Sequence, residues 1–323
     1  MLIAYLKRET LEAHQITAEN HILLKEAIWV DLLSPTKTEE KLVEQSLTLN
    51  IPTRDEMVEI ETSSRLYKEN DTLFMTASFI AQSKTSDARI DPITFVLTQQ
   101  QLITIRYIEP HAFKFFIAQL PKLNPETHTA LILLIELLEA TVDRLADILE
   151  RVGRRLDSYS KTIFRPTTSK VRNLDYQKLM REVGASGDLD TKARESLITL
   201  NRLVSFFGQS ANSKFDADEQ SRVMTLSKDI ASLSDHANFL STKVNFLLDA
   251  TLGMVNIEQN NIIKIFSVAA VIFLPPTLIA SIYGMNFHFI PELSWKYGYL
   301  FSIGLIILAA FLPYRYFKYR KWL

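Results

Sequence analysis

Gly284, Met285 and Asn286 stand at the rim of a long apolar run, and Pro291 and Glu292 follow a few residues later, just before a second apolar run. The chemistry open to such a set is narrow. An amide oxygen is a neutral acceptor, able to take hydrogen bonds from the waters around a cation, and a lone carboxylate adds negative potential nearby. No other part of the chain offers a catalytic constellation. The sequence holds no Gly-rich phosphate loop, no His-Glu-x-x-His pair and no Gly-x-Ser-x-Gly elbow. The histidines at His14, His21, His111, His128, His236 and His288 share no ligand spacing. With no cysteine, disulfides and thiolate metal sites are excluded. The sequence therefore points away from an enzyme.

The elements that must position this short stretch divide the 323 residues into a charged body and an apolar tail. A formal net charge of -1 gives no electrostatic footprint for nucleic acid, which is not expected as a partner. The first residues lack a basic start followed by an apolar core and a small-residue cleavage site, so no secretory signal is read and the amino-terminal part is expected in the cytosol.

Residues 1 to about 120 read as an α/β domain. Strands are expected at LIAYLK from residue 2, AIWVDLL from 27, TLFMTASFIA from 72, ITFVLT from 93 and LITIRY from 102, all rich in Ile, Val, Phe and Thr. The intervening TKTEEKLVEQSLTL has helical spacing, with a capping box from Thr36 to Glu39. From about residue 121 to 261 a helical stalk is expected. Its apolar segment from Ala130 carries Glu136, Glu139 and Asp143 about once per turn, which marks a buried amphipathic helix rather than a membrane span. The small polar run GASGDLD from 184 reads as a turn between helices. Leu226, Ile230, Leu233, Ala237, Leu240, Val244, Leu247, Thr251 and Met254 then alternate steps of four and three, a seam able to assemble several chains. With no proline between Pro166 and Pro275, one helix is expected from near Ser221 to Tyr283.

Residues 262 to 323 read as a membrane hairpin. Ile265 to Tyr283 and Tyr297 to Tyr314 are each free of Asp, Glu, Lys and Arg and long enough to cross a hydrocarbon core of about 30 Å. Lys264 precedes the first span and Arg315, Lys318, Arg320 and Lys321 follow the second, against Lys296 alone in the connection, so both ends are expected on the cytosolic side. Tyr283, Trp295, Tyr297 and Tyr299 gather at one rim, and Tyr314, Tyr316, Tyr319 and Trp322 at the other. Asn260, Ser267, Thr277 and Ser281 share one side of the first span with Ile263, Phe266, Ala270 and Leu274. Such a sparsely hydroxylated stripe serves either as helix-packing glue or as the lining of a pore shared by several chains.

YGMNF at 283 to 287 and IPEL at 290 to 293 resemble the Gly-Met-Asn signature and the Met-Pro-Glu-Leu loop of the CorA magnesium transporters, and the likeness extends from about residue 243 to the basic KYRKWL end. The stretch looks like that of the proteobacterial type. The resemblance implies a funnel-shaped homopentamer in the bacterial cytoplasmic (inner) membrane, an α/β cytosolic domain followed by a long α-helical stalk and two transmembrane helices. It implies uptake of Mg²⁺, with Co²⁺ and Ni²⁺ as further cargo, gated by intracellular Mg²⁺ acting as a regulatory ion on cytosolic carboxylates that no short motif identifies. Asn286 would meet hydrated Mg²⁺ in a ring, with Gly284 and Met285 shaping the turn and Asn260, Ile263, Phe266, Leu274 and Thr277 following inward. Glycine would suit the abrupt end of the span by permitting backbone angles closed to a side chain. No covalent cofactor is implied. Ile290 replaces the usual methionine, and His288 stands where an acid is common in relatives. A zinc transporter of the related type and a non-conducting membrane-tethered scaffold or sensor are the rival readings.

Overall fold

The computed structural model describes the chain except residues 60, 84–87, 123, 125–126, 165–174, 212–214, 287–289, 321 and 323, together with the side chains of 62 and 293. It divides into two compact units, Met1–Leu248 and Asp249–Leu323.

The first unit is built on one seven-stranded sheet. In chain order the strands are β1 (Leu2–Lys7), β2 (Leu11–Gln15), β3 (Ala27–Leu33), β4 (Leu66–Glu69), β5 (Thr72–Ala81), β6 (Arg89–Leu97) and β7 (Leu102–Arg106), laid out as β2-β1-β3-β7-β6-β5-β4. All neighbours are antiparallel except β3 and β7, which pair parallel from Trp29 opposite Leu102 to Leu33 opposite Arg106. The β1, β3, β5, β6 and β7 segments were legible as apolar, β-branched runs. The edge strands β2 and β4 were not, because LEAHQ and LYKE are polar and short, as edges commonly are.

One face of the sheet buries Leu2, Ala4, Leu6, Val30, Leu32, Ile103 and Ile105 with Leu24, Val43 and Met57. The last two belong to the short helices α1 (Lys37–Leu47) and α2 (Arg54–Val58); a single turn, α3 (Thr62–Arg65), follows. Helix α1 starts at the expected capping box: the Thr36 hydroxyl accepts from Glu39 N, and Glu39 Oε2 accepts from Thr36 N at 2.8 Å. The α2 start repeats the device with Thr53 and Glu56.

The opposite face carries larger and more polar side chains beneath α4 (His111–Gln119). Trp29 stacks on Tyr5 and lies against Phe113 and Phe116. Between them sits a fully buried ion pair. Arg106 donates to Asp31 through Nε at 2.9 Å and Nη2 at 2.8 Å, Thr104 Oγ1 donates to the same carboxylate at 2.7 Å, and Trp29 Nε1 donates to Thr104. Arg106 Nη1 donates to the carbonyl of Ile108 at 3.1 Å, so each nitrogen and oxygen of the pair has a partner and the charges tolerate an interior that would otherwise reject them. Beside this pair, Ser196 on α6 (Tyr176–Ser210) donates to the carbonyl of Ser78 on β5, and Ser78 N donates to Thr199, tying helix to sheet.

Helix α5 (Ala130–Phe164) is amphipathic as expected, burying Leu133, Leu137, Leu138, Leu145, Leu149, Val152 and Leu156. The expected turn at GASGDLD is corrected: α6 runs through it unbroken. The small residues there serve close approach. A Cβ on Gly187 would lie 3.0 Å from Val244 Cγ1, and the Ser186 hydroxyl is absorbed by the carbonyl of Glu182. Val244 belongs to α7 (Ala217–Tyr283), the long helix anticipated from near Ser221.

The seam on α7 also finds its partner within the chain. Leu226, Ile230, Ala237, Leu240, Val244, Leu247 and Thr251 are buried, with Leu240 against Gly153 of α5 and Val223 against Gly208 of α6. Within the first unit, from Leu226 to Leu247, the seam thus packs against the chain's own α5 and α6. In the second unit the remainder of α7 is followed by a 3-10 turn at Pro291–Ser294 and by α8 (Gly298–Tyr319). Both α7 and α8 contain stretches long and apolar enough to cross a membrane.

Candidate functional site

The last part of α7 has two faces of different fate. Val268 is buried and Lys264, Ile272, Pro275, Pro276, Ile279 and Tyr283 are half-buried, a stripe repeating every three or four residues. On α8 the complementary stripe is Gly298, Ser302, Ile306, Ala309, Pro313 and Phe317, buried at both ends. In a unit made of these two helices and their connection, each stripe is the cover available to the other. Small residues on α8 suit close helix approach in an apolar medium.

The opposite face of α7 is bare. Asn260, Ile263, Phe266, Ser267, Ala270, Leu274, Thr277 and Ser281 are all exposed, Phe266 to 72%. These are the residues the sequence placed on one stripe, and they are brought together as one continuous face directed away from the covered stripe. Two of their hydroxyls are spent on the helix itself: Ser267 Oγ donates to Ile263 O and Thr277 Oγ1 to Phe273 O, each at 2.8 Å. Pro275 and Pro276 lie within the helix and remove the donors for the carbonyls of Val271 and Ile272.

At its end α7 stops abruptly. Gly284 N donates to Ala280 O at 3.0 Å and Met285 N to Ile282 O at 3.3 Å, and Gly284, Met285 and Asn286 are exposed. The expected reason for the glycine needs correction. No described glycine has positive φ, so Gly284 occupies backbone space open to any residue. What it permits is proximity: a Cβ there would lie 3.2 Å from the Ala280 carbonyl and 3.6 Å from that of Ser281. Asn286 follows with its amide in the open. His288 and Lys321 lie outside the described residues.

Gly298 is a structural residue that sequence reasoning missed. It is buried at the start of α8, and a Cβ on it would overlap the carbonyl oxygen of Glu292. The Pro291–Ser294 turn therefore closes onto the helix start, fixing Glu292 there half-buried, with Gly298 N donating to Trp295 O at 3.0 Å. Trp295 packs on Phe301 and Tyr297, an aromatic rim as expected. At the other end Trp322 stacks on Phe317, and Lys264 Nζ lies 5.6 Å from the Trp322 ring centre. Lys318 and Arg320 are exposed beside them.

In the first unit α7 is latched to α5. Arg222 donates to Glu139 through Nε at 3.0 Å and Nη2 at 2.6 Å, and Glu136 in turn meets His128 Nε2 at 3.2 Å. The hydrogen bond to Glu139 holds the Arg222 pKa up. Asp143, one turn on, is pushed up by burial and by its neighbours Glu139, Asp147 and Asp229. No signal in the sequence paired Arg222 with residues about eighty positions earlier. Among the described residues no three acids or histidines converge closely enough to hold a metal ion.

With this geometry in view, comparison with known proteins is decisive. The family model for CorA-like Mg²⁺ transporter proteins matches residues 25–320. The chain belongs to the CorA-like family. It is 36% identical over 300 residues to the magnesium transport protein CorA of Yersinia pseudotuberculosis, covering 93% of both chains. Against the protein of that name from Salmonella typhimurium it is 35% identical over 316 residues, 97% of this chain and 98% of the other. The complete structure of the CorA magnesium transporter from Methanocaldococcus jannaschii shares the fold, with a TM-score of 0.75 at 17% identity over 100% of this chain and 99% of that one. The cytoplasmic domain of ZntB from Vibrio parahaemolyticus is a more distant fold neighbour, with a TM-score of 0.55 at 12% identity over 79% of this chain and 98% of that one. The CorA-like architecture is therefore that of this chain: an α/β amino-terminal part, a long helix, and an apolar carboxy-terminal helix.

Proposed function

We propose that this chain carries Mg²⁺ across the bacterial cytoplasmic membrane as a homopentamer, with both termini in the cytosol. The observation that carries the reading is the bare face of α7. Asn260, Ile263, Phe266, Ala270, Leu274, Thr277 and Ser281 lie opposite the half-buried stripe of α7 and lead to Gly284, Met285 and Asn286. Two spans cannot enclose a water path, so copies arranged about an axis would each contribute this face.

Mg²⁺ is small, sheds its waters reluctantly and favours octahedral oxygen coordination. A ring of Asn286 amides takes hydrogen bonds from those waters and leaves the hydration shell in place, so both capture and release stay easy. Glu292, held against the start of α8, adds negative potential at the same rim. The mostly apolar lining from Leu274 to Ile263 offers no charged side chain to trap a dication midway. Lys264, Lys318, Arg320 and Lys321 mark the cytosolic end. Internal Mg²⁺ closes the path by bridging carboxylates of neighbouring subunits.

The test is Mg²⁺ uptake into vesicles containing purified protein, at several internal Mg²⁺ concentrations. Asn286→Ala should lower uptake at least tenfold, and wild-type uptake should fall as internal Mg²⁺ rises. Equal uptake by both proteins removes the role of the amide, and indifference to internal Mg²⁺ removes the regulatory ion. Zn²⁺ outcompeting Mg²⁺ in the same assay would move the chain to the zinc-carrying relatives.

A further inference from the structure

The cytosolic end of the second unit holds a cluster of cations that the conduction path does not use. Lys264 comes from α7, while Arg315 and Lys318 lie in the last turns of α8 and Arg320 just beyond it. No ion pair is formed by any of the four among the described residues. Of the unit's three carboxylates, Asp249 and Glu258 lie earlier on α7 and Glu292 belongs to the opposite rim, against six Lys and Arg. Net positive charge is therefore left without internal compensation.

The cluster has a defined floor. Trp322 N donates to Phe317 O at 3.0 Å, which turns the chain back on itself after α8, and the indole stacks on Phe317 at 5.6 Å. Phe317 is buried in the last turn of α8. Lys264 Nζ then sits over the exposed Trp322 ring, so a cation from one helix and an aromatic surface from the other meet at the mouth of the groove between them. A cation on an indole face keeps its outward hydrogens for a further acceptor. Tyr314 and Tyr319, both exposed, flank the place at headgroup height.

We propose that Lys264, Lys318, Arg320 and Trp322 form a binding site for the phosphodiester headgroup of an anionic phospholipid in the cytosolic leaflet, its acyl chains lying along the α7–α8 groove. The site rests on the reading that both spans cross the membrane with this end inside. A phosphodiester supplies the charge that the cluster lacks, and the apolar helix surfaces supply the contact that a free phosphate cannot use. Basic residues at a membrane surface each favour anionic lipid by about fivefold.

The test uses the full-length protein in nanodiscs of mixed phosphatidylglycerol and phosphatidylcholine, followed by extraction and quantification of retained lipid. Wild type should retain phosphatidylglycerol severalfold above its share of the mixture. Lys264→Gln should weaken the affinity for phosphatidylglycerol about fivefold and Lys318→Gln with Arg320→Gln about twenty-fivefold, so that the double variant retains phosphatidylglycerol only at its share of the mixture. Trp322→Leu should lower it while preserving the apolar floor. Added inorganic phosphate at constant ionic strength should leave the enrichment intact. Enrichment unchanged in the charge variants, or abolished by inorganic phosphate, overturns the assignment. Mg²⁺ uptake by wild type is read on the same preparation: uptake without enrichment fails this site alone, and enrichment without uptake fails the transport reading alone.

Discussion

Asp190 lies on α6 at 1% exposure, and its Oδ1 has no hydrogen-bond partner among the described residues. Burial pushes its carboxyl from the ordinary 3.8 up to about 6, with Arg194 pulling weakly the other way. An acid whose folded-state pKa exceeds its unfolded one binds its proton more tightly when folded. Folding is then penalised above that range and relieved as pH falls. The penalty is full above pH 6, shrinks between about 6 and 3.8, and is gone below. At about 1.4 kcal/mol per decade the full penalty is roughly 3 kcal/mol. Asp190→Asn keeps the shape and removes the charge, so at pH 7.5 it should melt about 6 to 12 °C above wild type, a range set by the usual slope for a unit of this size, about 2–4 °C per kcal/mol. The advantage should vanish by about pH 4. Thermal unfolding of the full-length protein, followed by circular dichroism at a series of pH values, reads both numbers. A variant less stable than wild type at pH 7.5, or a difference that ignores pH, would show that Asp190 is an ionised partner of Arg194, and the reasoning would fail.

Three further outcomes follow from packing. Gly298→Ala forces the Pro291–Ser294 turn off the start of α8; the cost should be about 1 to 3 kcal/mol, seen as faster proteolysis of the connection and loss of the Trp295 emission signature. Gly187→Leu should separate α6 from α7 at Val244 and lower the melting temperature of the full chain, whereas Gly184→Leu, with no atom within 4 Å of its Cβ position, should not. Asp31→Asn leaves Arg106 charged and unmatched in the interior and should destabilise the sheet by about 3 to 5 kcal/mol, far more than loss of the exposed Arg154–Glu150 pair.

What the sequence disclosed follows the range of the interactions involved. The capping box at Thr36, the central strands and the period of the α7 seam are set by residues within a few positions of one another, and each was readable. The run at Gly184 was misread because Gly and Ser mark both a turn and a close helix contact, and Val244, which decides between them, lies far along the chain. The same limit hid the partner of the seam. The bare stripe of α7 was legible because helical period alone defines a face, but its being bare required knowing which face is buried in the folded chain. Gly284 showed the reverse case: its presence was read correctly as a terminus while the reason, backbone freedom, was wrong. Gly298 gave no signal at all, since its importance lies in one carbonyl oxygen brought back by the turn.

The central claim is that the bare face of α7 lines the ion path. Because the chain contains no cysteine, single thiols can be introduced without background. Thr277→Cys places a thiol on the bare face and Ile279→Cys one on the covered face, two residues apart on the same helix. A small membrane-impermeant thiol reagent should abolish Mg²⁺ uptake by the first and spare the second. Inhibition of the Ile279 variant with the Thr277 variant untouched would contradict the account.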